Sequence, residues 1–328
     1  MIAPLVCQPN VDVIVISLDR PHETIECIRS ALQQIGVSVH VYLVDQGSAR
    51  ENIALLEEFI AEVENVCLKQ LGYNCGPAEG RNIAATMGSS ETIVGIDNDA
   101  ELEDPTALAR AFALLQADPT LGVIGFRILN HYSGHDDWGS WCYTDSRKSM
   151  ASQSFYAVEF CACGFAIRRS VFEGVNGFEK SLFIMGEEID LSYRVLNAGF
   201  SIRYVPEIRV RHKVSPERRV TWRSGRFYYV VRNSLYFQYK SQVPKCQILL
   251  SAAAWISKGT YNGLLWSALR GVVDAALMSI RFARSRAQRS AYVLQPHAKS
   301  YIEAHAPVNR AGFLARVRRQ FVGLTDHH

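Results

Sequence analysis

Two carboxylates one residue apart form the sharpest chemical feature of this 328-residue chain. Asp97 and Asp99 follow directly on the apolar run 92–96, which is typical of a buried strand. Mg²⁺ and Mn²⁺ prefer oxygen ligands and retain room for phosphate oxygens. The pair therefore indicates a divalent cation held beside a diphosphate, and a solvated acidic turn is the alternative interpretation.

A second acidic group lies at residues 187–190, where Glu187, Glu188 and Asp190 fall at the predicted start of a helix. A helix N-terminus stabilises carboxylates, so simple capping is one interpretation. The other is that one acid is a general base that removes a proton from a hydroxyl group. Arg194 follows Asp190 at helical ion-pair spacing, which gives Asp190 a structural alternative.

Alternating strands and helices must position these acids. Five apolar, β-branched runs predict strands, and apolar residues at helical spacing lie between them. The predicted strands are residues 11–17, 39–45, 66–71, 92–96 and 121–126, and the predicted helices begin at Pro21 and cover 53–63, 81–87 and 108–115. This alternation predicts an α/β fold in which a mostly parallel sheet is flanked by helices.

Polar side chains follow four of the predicted strands at the end where each strand stops. They are Asp19, Asp45, Asn74 and the pair Asp97 and Asp99. Ligands of open α/β sheets bind beyond the carboxyl ends of the strands. We therefore expect these side chains to surround one ligand site.

The second half of the chain has a different pattern. Residues 130–154 are polar and aromatic, which predicts a long functional loop. The elements predicted after this loop are a strand at 159–167, a helix at 188–197, short strands at 201–205 and 208–212 around Pro206, and helices from about residue 225 onward. His212 ends the last of these strands, and a lone histidine there is either structural or a metal ligand.

The composition argues against several classes of protein. A net charge of +3 argues against a dedicated nucleic-acid binder. The eight cysteines form no CxxC pair, and Cys161 with Cys163 is no zinc signature, so reduced cytosolic thiols are expected. No GxGxxG motif follows a strand, which argues against a dehydrogenase. We expect neither a signal peptide nor a membrane-spanning helix.

Several segments match, in order, the motifs of a known family. They are SLDRP at 17–21, VDQGS at 44–48, NCGPAEGRN at 74–82, DND at 97–99, GFAIRR at 164–169, GEEIDLSYR at 186–194, YVPEIRVRH at 204–212 and YYVVRN at 228–233. Together they resemble the family 2 inverting glycosyltransferases with a GT-A (Rossmann-like) fold. The resemblance is strongest to bacterial rhamnosyltransferases and related O-antigen and cell-wall enzymes. Leu18 and Asp19 depart from the family pattern.

The resemblance implies a nucleotide-sugar donor and a divalent cation, either Mn²⁺ or Mg²⁺. The residues that it places around the donor are Ser17, Asp19, Asp45, Asn74, Arg81 and Asp97. The residues that it places on the metal are Asp97, Asp99 and His212. It also implies an inverting transfer in which Glu188 is the general base, with Glu187 and Asp190 as alternates. The family usually has Asp where Glu188 stands.

The resemblance also divides the chain into regions. We expect a GT-A catalytic domain over residues 1–240, with a nucleotide-sugar half at 1–126 and an acceptor half at 127–240. Residues 241–328 form a helical, amphipathic, basic extension in this prediction.

The extension suggests where the protein acts. An apolar helical face over residues 245–280 is followed by Arg281, Arg284, Arg286 and Arg289. Such a face is typical of a peripheral membrane anchor on anionic lipid, and a helical cap or a dimer contact is the alternative. We therefore expect a cytoplasmic protein at the inner face of the plasma membrane, acting on a glycan or lipid-linked acceptor.

Two other functions are weighed against this one. A non-catalytic sugar- or nucleotide-binding relative is supported by the departures at Leu18, Asp19 and Glu188. A sugar nucleotidyltransferase shares the sheet and the acids, but it normally opens with a glycine-rich loop and a lysine, which residues 13–21 lack. The sequence leaves the sugar, the linkage and any homo-oligomer open.

Overall fold

One mixed sheet runs through the centre of the structure, a computed structural model that describes residues 8–214, 221–306 and 324. Within these residues the strands are β1 (Asn10–Ser17), β2 (Ser38–Asp45), β3 (Val66–Gln70), β4 (Thr92–Ile96), β5 (Ala100–Leu102), β6 (Leu121–Asn130), β7 (Phe155–Ala157), β8 (Gly164–Arg168) and β9 (Ser201–His212). Their order is β3-β2-β1-β4-β8-β6-β9-β5. Strand β9 pairs with β6 along one edge and with β7 and β5 along the other.

Helices cover both faces of this sheet. In the described part of the chain they are α1 (Pro21–Leu32), α2 (Arg50–Ala61), α3 (Gly76–Ala85), α4 (Ala107–Ala117), α5 (Arg169–Gly174), α6 (Glu187–Asn197), α7 (Phe227–Lys240), α8 (Lys245–Tyr261), α9 (Leu265–Arg284), α10 (Arg286–Ala291) and α11 (Pro296–His305). Short 3₁₀ turns occupy Asp145–Met150 and Lys180–Leu182.

Strand β1 shows why the sheet needs helices on both faces. Val11, Val13 and Val15 pack in one core with α1, α2 and α4, whereas Ile14 and Ile16 pack in a second core with α3 and α6. Successive side chains of a strand point to opposite faces, so this apolar run supplies both cores. The predicted α/β fold is therefore confirmed.

The sheet is less regular than the sequence predicts. Strands β3, β2, β1 and β4 are parallel to one another, but β8 lies antiparallel between β4 and β6. The short strands β5 and β7 were not predicted, because each has only three residues. The antiparallel β8 places the residues before it next to the residues that follow β4.

The prediction of two separate strands around Pro206 is wrong, because β9 is continuous. Val205 pairs with Phe126, and the next pair joins Arg209 to Arg127, so three residues bulge out between them. Proline has no N–H group for a ladder hydrogen bond, and a bulge accommodates it without ending the strand. The intact strand carries His212 to the same end of the sheet as the end of β4.

Helices α7, α8 and α9 pack around a third core. Phe227 and Val231 of α7 lie there with Ala268 and Phe282 of α9. The two helices approach closely at Gly271, where an added Cβ would lie 3.0 Å from the Cβ of Val231. The predicted domain boundary at residue 240 falls at the end of α7, inside this group of helices, and stays a prediction.

The chain then returns to the sheet. Tyr292 stacks on Tyr193 of α6 with ring centroids 5.9 Å apart, and the Tyr301 hydroxyl donates to the Ile202 carbonyl at 2.9 Å. The residues that follow α9 therefore pack on α6 and β9. Among the helices described, none has the length and apolar character needed to cross a membrane.

Candidate active site

A cavity of about 390 Å³ opens at the carboxyl ends of β1 and β4. The end of β9 and the start of α6 also reach it. Its walls contain most of the predicted site residues, namely Ser17, Asn74, Arg81, Asp97, Asp99, Glu187, Glu188 and His212. Of the strand-end residues expected to surround one site, Asn74, Asp97 and Asp99 lie on this wall, and the individual roles of the predicted residues stay predictions.

Arg81 joins the two acidic groups of the sequence. Its Nη2 lies 2.7 Å from Asp97 Oδ1, and its Nη1 lies 3.6 Å from Glu187 Oε1. Burial opposes the charge of this guanidinium, but Asp97, Glu187 and Glu188 outweigh it and raise the pKa of Arg81. In the described residues, Arg81 Nη1 and Glu187 Oε2 are buried without a hydrogen-bond partner. Both side chains line the cavity, so a bound polar ligand would satisfy them.

His212 lies between two carboxylates. Its Nδ1 is 2.8 Å from Asp137 Oδ2, and its Nε2 is 3.4 Å from Asp99 Oδ1. Burial lowers the pKa of the imidazole, but the bonds to Asp137 and Asp99 outweigh it and raise that pKa to about 10. Burial also opposes ionisation of Asp99, yet His212 and Arg20, whose Nη1 is 2.6 Å from Asp99 Oδ2, lower its pKa. The carboxylates around His212 therefore favour the positively charged form of its imidazole.

The donor atoms of this region fit a divalent cation. A carboxylate oxygen of Asp97, the sulfur of Cys163 and a ring nitrogen of His212 lie within 4.8 Å of one another. Because Asp137 holds Nδ1 of the histidine, a metal would bind at Nε2 in place of the Asp99 contact, which is the arrangement of carboxylate–histidine–metal sites. Of the three predicted ligands, Asp97 and His212 belong to this group, and Asp99 lies next to His212.

Glu187 and Glu188 begin α6 on the cavity wall. Glu187 is 3% exposed and Glu188 is half-buried. Burial, followed by the charge of Glu188, raises the pKa of Glu187 well above its ordinary range. Burial also raises the pKa of Glu188, although the charge of Arg81 opposes this. A carboxylate with a raised pKa is a stronger proton acceptor near neutral pH.

The backbone that leads into Glu187 has an unusual conformation. Phe183, Met185 and Gly186 have φ values of 63°, 71° and 90°. This left-handed region is unfavourable for residues other than glycine. Asn233 of α7 supports the segment, because its Nδ2 donates to the Met185 carbonyl at 2.7 Å. A side chain of α7 therefore helps to fix the point at which the acidic helix begins.

Two of the predicted donor-binding acids are not among the described residues that line the cavity. Asp45 is buried, and its Oδ1 accepts hydrogen bonds from the N–H groups of Gly47 and Ser48, each at 3.0 Å. Asp19 Oδ1 accepts one from the Ala49 N–H at 2.6 Å. Both carboxylates thus stabilise the turn after β2, and their predicted contact with a donor stays a prediction.

A comparison with protein families shows to which family the chain belongs. Residues 12–175, half of the chain, match the family described as Glycosyl transferase family 2. The chain belongs to this family. The matched region contains Asp97 and Asp99, whereas Glu188 and His212 lie beyond it.

Curated proteins related to this family 2 chain include bacterial glycosyltransferases. The chain is 28% identical over 217 residues to an N-acetylglucosaminyltransferase of Rhizobium meliloti (strain 1021), with 61% of this chain and 50% of the relative covered. It is 25% identical over 147 residues to the O-antigen chain rhamnosyltransferase WbaN of Salmonella anatum, with 43% and 46% covered. The chain therefore spans half of the length of these relatives, or less.

A solved structure shares the fold of this family 2 chain. It is the mannosyltransferase PcManGT from Pyrobaculum calidifontis in complex with GDP-Man and Mn²⁺. The TM-score is 0.57 at 18% identity, and the match covers 90% of this chain and 86% of the other. The expectation of a GT-A fold with a helical C-terminal region is confirmed.

Asp190 differs from the other acids predicted for this family 2 site. Its carboxylate is 1% exposed and lies 2.5 Å from Lys240 Nζ, 2.8 Å from Arg194 Nη2 and 2.7 Å from the Tyr292 hydroxyl. Burial opposes its charge, but Lys240 and Arg194 outweigh it and lower the pKa of Asp190. The structure therefore bears out the ion-pair alternative, and it does not place Asp190 on the cavity wall.

The sequence does not indicate three residues of this candidate site. Arg20 was noted only as part of a motif, although it binds Asp99. Asp137 lies in the predicted functional loop, but nothing in the sequence indicates that it holds His212. Cys163 was considered only as half of an unconvincing zinc signature. Each gains its place through a contact between residues that are far apart in the chain.

Proposed function

We propose that this chain transfers a sugar from a nucleoside-diphosphate sugar to a hydroxyl group of a glycan or lipid-linked acceptor in envelope polysaccharide synthesis. One observation carries the proposal: a single cavity is lined both by the metal-type ligands Asp97, Asp99 and His212 and by the raised-pKa acids Glu187 and Glu188. The names of the curated relatives, an O-antigen rhamnosyltransferase and an N-acetylglucosaminyltransferase, support the choice of acceptor.

The proposed reaction is a direct displacement that inverts the anomeric carbon. Glu188 takes the proton of the acceptor hydroxyl as that oxygen bonds to the anomeric carbon, and the bond from this carbon to the diphosphate oxygen breaks. Asp97, Asp99 and His212 would hold Mn²⁺ or Mg²⁺, which when bound neutralises charge on the diphosphate. Arg81 adds positive charge to the same wall of the cavity.

Donor binding is expected to need the cation and to depend on Asp99. Calorimetry with UDP-, dTDP- and GDP-sugars, with and without Mn²⁺ or Mg²⁺, measures this directly. One donor should bind only with metal, and Asp99→Ala should weaken that binding at least about tenfold, since even groups that merely support a metal ligand matter this much. The measurement also identifies the nucleotide.

Asp145→Ala is the matched control for this experiment, because its side chain is 82% exposed and lies in the 3₁₀ turn outside the cavity. It should bind the donor as the unchanged chain does. Metal-independent binding that survives Asp99→Ala would contradict the proposed metal site. Failure to bind any donor under all conditions would favour a non-catalytic relative.

The proposal includes contact with a membrane surface through α9. Trp266, Val273, Leu277 and Ile280 of this helix have exposures of 83%, 57%, 48% and 51%. Trp266 and Val273 are seven residues apart, Val273 and Leu277 are four apart, and Leu277 and Ile280 are three apart. These spacings place the four side chains on one face of the helix. Arg270, 75% exposed, lies on the same face. An exposed apolar stripe with cationic groups matches the interface of an anionic bilayer.

Vesicle flotation tests this contact with point variants, because removal of the whole extension would also remove the contacts of Tyr292. The double variant Trp266→Ser/Leu277→Ser should bind vesicles of anionic phospholipid at least about tenfold more weakly, since each apolar side chain contributes about 1.5–3 kcal/mol when buried.

The control variant is Ile35→Ser/Leu55→Ser, which changes two exposed apolar residues at 58% and 38% exposure away from α9. It should float as the unchanged chain does. Equal flotation of both double variants would remove α9 as the contact. Equal binding of the unchanged chain to purely zwitterionic vesicles would remove the preference for anionic lipid.

A further inference from the structure

Cys163 lies beside Asp97 because of the way β8 pairs with β4. The last pair of this antiparallel ladder joins Ile96 to Gly164, and the Asp97 N–H then donates to the Cys163 carbonyl at 3.3 Å. Residues opposite each other in an antiparallel pair place their side chains on the same face of the sheet. The thiol and the carboxylate are therefore neighbours by topology.

The thiol of Cys163 belongs to the cavity. Cys163 is 4% exposed, lines the cavity wall and forms no disulfide bond. Its sulfur lies within 4.8 Å of both a carboxylate oxygen of Asp97 and a ring nitrogen of His212. Three different ligand atoms thus lie within reach of one ion.

Asp97 and His212, the two residues that lie close to the thiol, each have one atom that can bind an ion. Arg81 occupies Oδ1 of Asp97, so Oδ2 is the oxygen left for an ion. Asp137 occupies Nδ1 of His212, so a cation would bind at Nε2, displacing its proton and its 3.4 Å contact with Asp99 Oδ1. An oxygen, a nitrogen and a sulfur donor around one point suit Zn²⁺, Co²⁺ or Cd²⁺ far better than Mg²⁺, which prefers oxygen alone.

We infer that Cys163 is a ligand at the metal site, where a zinc-class cation binds the sulfur and displaces the thiol proton to solvent. This inference rests on the metal site of the proposed function and extends it by a ligand and by a cation class. Zn²⁺ bound through Cys163, Asp97 and His212 uses two of the groups that Mn²⁺ needs. Excess Zn²⁺ therefore competes with Mn²⁺ and weakens metal-dependent donor binding.

Cadmium is a suitable probe, because cadmium–thiolate bonds give a charge-transfer band in the ultraviolet that is followed as a difference spectrum. The parent protein for this test carries Ser in place of the exposed Cys67 and Cys246 and of Cys7, which lies outside the described residues. Titration with Cd²⁺ should produce the band at one equivalent. Cys163→Ser should abolish it and lower the affinity for Cd²⁺ at least about tenfold, with the affinity for Mg²⁺ changed less than about threefold.

Cys161→Ser is the matched control, since Cys161 lines the same cavity two residues away. This variant should retain the band. If Cys163→Ser does not fold, competition in the parent protein replaces it, and excess Mn²⁺ should suppress the cadmium band.

Three results would overturn the inference: no band in the parent protein, a band that persists in Cys163→Ser, or a band that excess Mn²⁺ leaves unchanged. If the same protein still binds a donor with Mn²⁺, the proposed function stands without a sulfur ligand. Loss of both the band and all metal-dependent donor binding would reject the two together.

Discussion

Glu188→Gln is expected to lower the rate of sugar transfer about 10²- to 10⁴-fold, the usual contribution of a general base. The amide keeps the shape of the side chain but cannot accept the proton of the acceptor hydroxyl. Because Glu188 is not one of the proposed metal ligands, the affinity for the donor should change less than about threefold. Steady-state transfer, with donor affinity measured separately by calorimetry, checks both parts.

Glu173→Gln provides the control, because this glutamate of α5 is 63% exposed and lies outside the cavity. Its transfer rate should be unchanged. Glu187→Gln addresses the alternate base, which is more deeply buried and lies 3.6 Å from Arg81. Normal turnover by Glu188→Gln together with inactive Glu187→Gln would move the role of base to Glu187.

Lys240→Met is expected to lower the free energy of unfolding by about 3–5 kcal/mol, the cost of breaking a buried ion pair from one side. The Lys240 side chain is fully buried and lies 2.5 Å from Asp190 Oδ1, beneath the ring of Tyr292 at 4.1 Å. Methionine fills similar space but leaves the buried carboxylate with less positive charge. Denaturant unfolding followed by circular dichroism measures the loss.

The matched control is Lys148→Met, whose lysine pairs with the exposed Asp145 at 3.1 Å. Surface pairs contribute at most about 1 kcal/mol, so this variant should unfold almost as the unchanged chain does. If the two variants lost the same small amount of stability, Lys240 would not be the counter-charge that Asp190 requires.

Much of the site could be predicted because the strands are long and apolar. The runs that became β1, β2 and β4 have nearly the predicted bounds, and the carboxyl ends of parallel strands meet at one edge of a sheet. Asp97, Asp99 and Asn74 can therefore be grouped from the sequence alone. The spacing of Asp190 and Arg194, four residues apart on a helix, likewise predicts their ion pair.

The rest depends on contacts that local patterns do not encode. Asp137 meets His212 across 75 residues, and Arg20 meets Asp99 across 79. Cys163 lies beside Asp97 only because β8 pairs antiparallel with β4. The residues of a short strand do not show whether it will pair parallel or antiparallel with its neighbour. The continuity of β9 through Pro206 also depends on a bulge that its partner strand β6 makes possible.

The late position of Tyr292 and Lys240 has a consequence for biosynthesis. These residues follow Asp190 by 102 and 50 positions. At about 5–20 residues per second on the ribosome, Tyr292 is made roughly 5–20 seconds after Asp190 of α6, to which it donates a hydrogen bond. During that interval the nascent chain already holds Asp97 and Asp99, and Asp190 of α6 has its own Arg194 as a partner, but Lys240 and then Tyr292 join the carboxylate only later. The helix that carries the proposed base therefore gains its last described partner only after Tyr292 has been made, well after the proposed donor half.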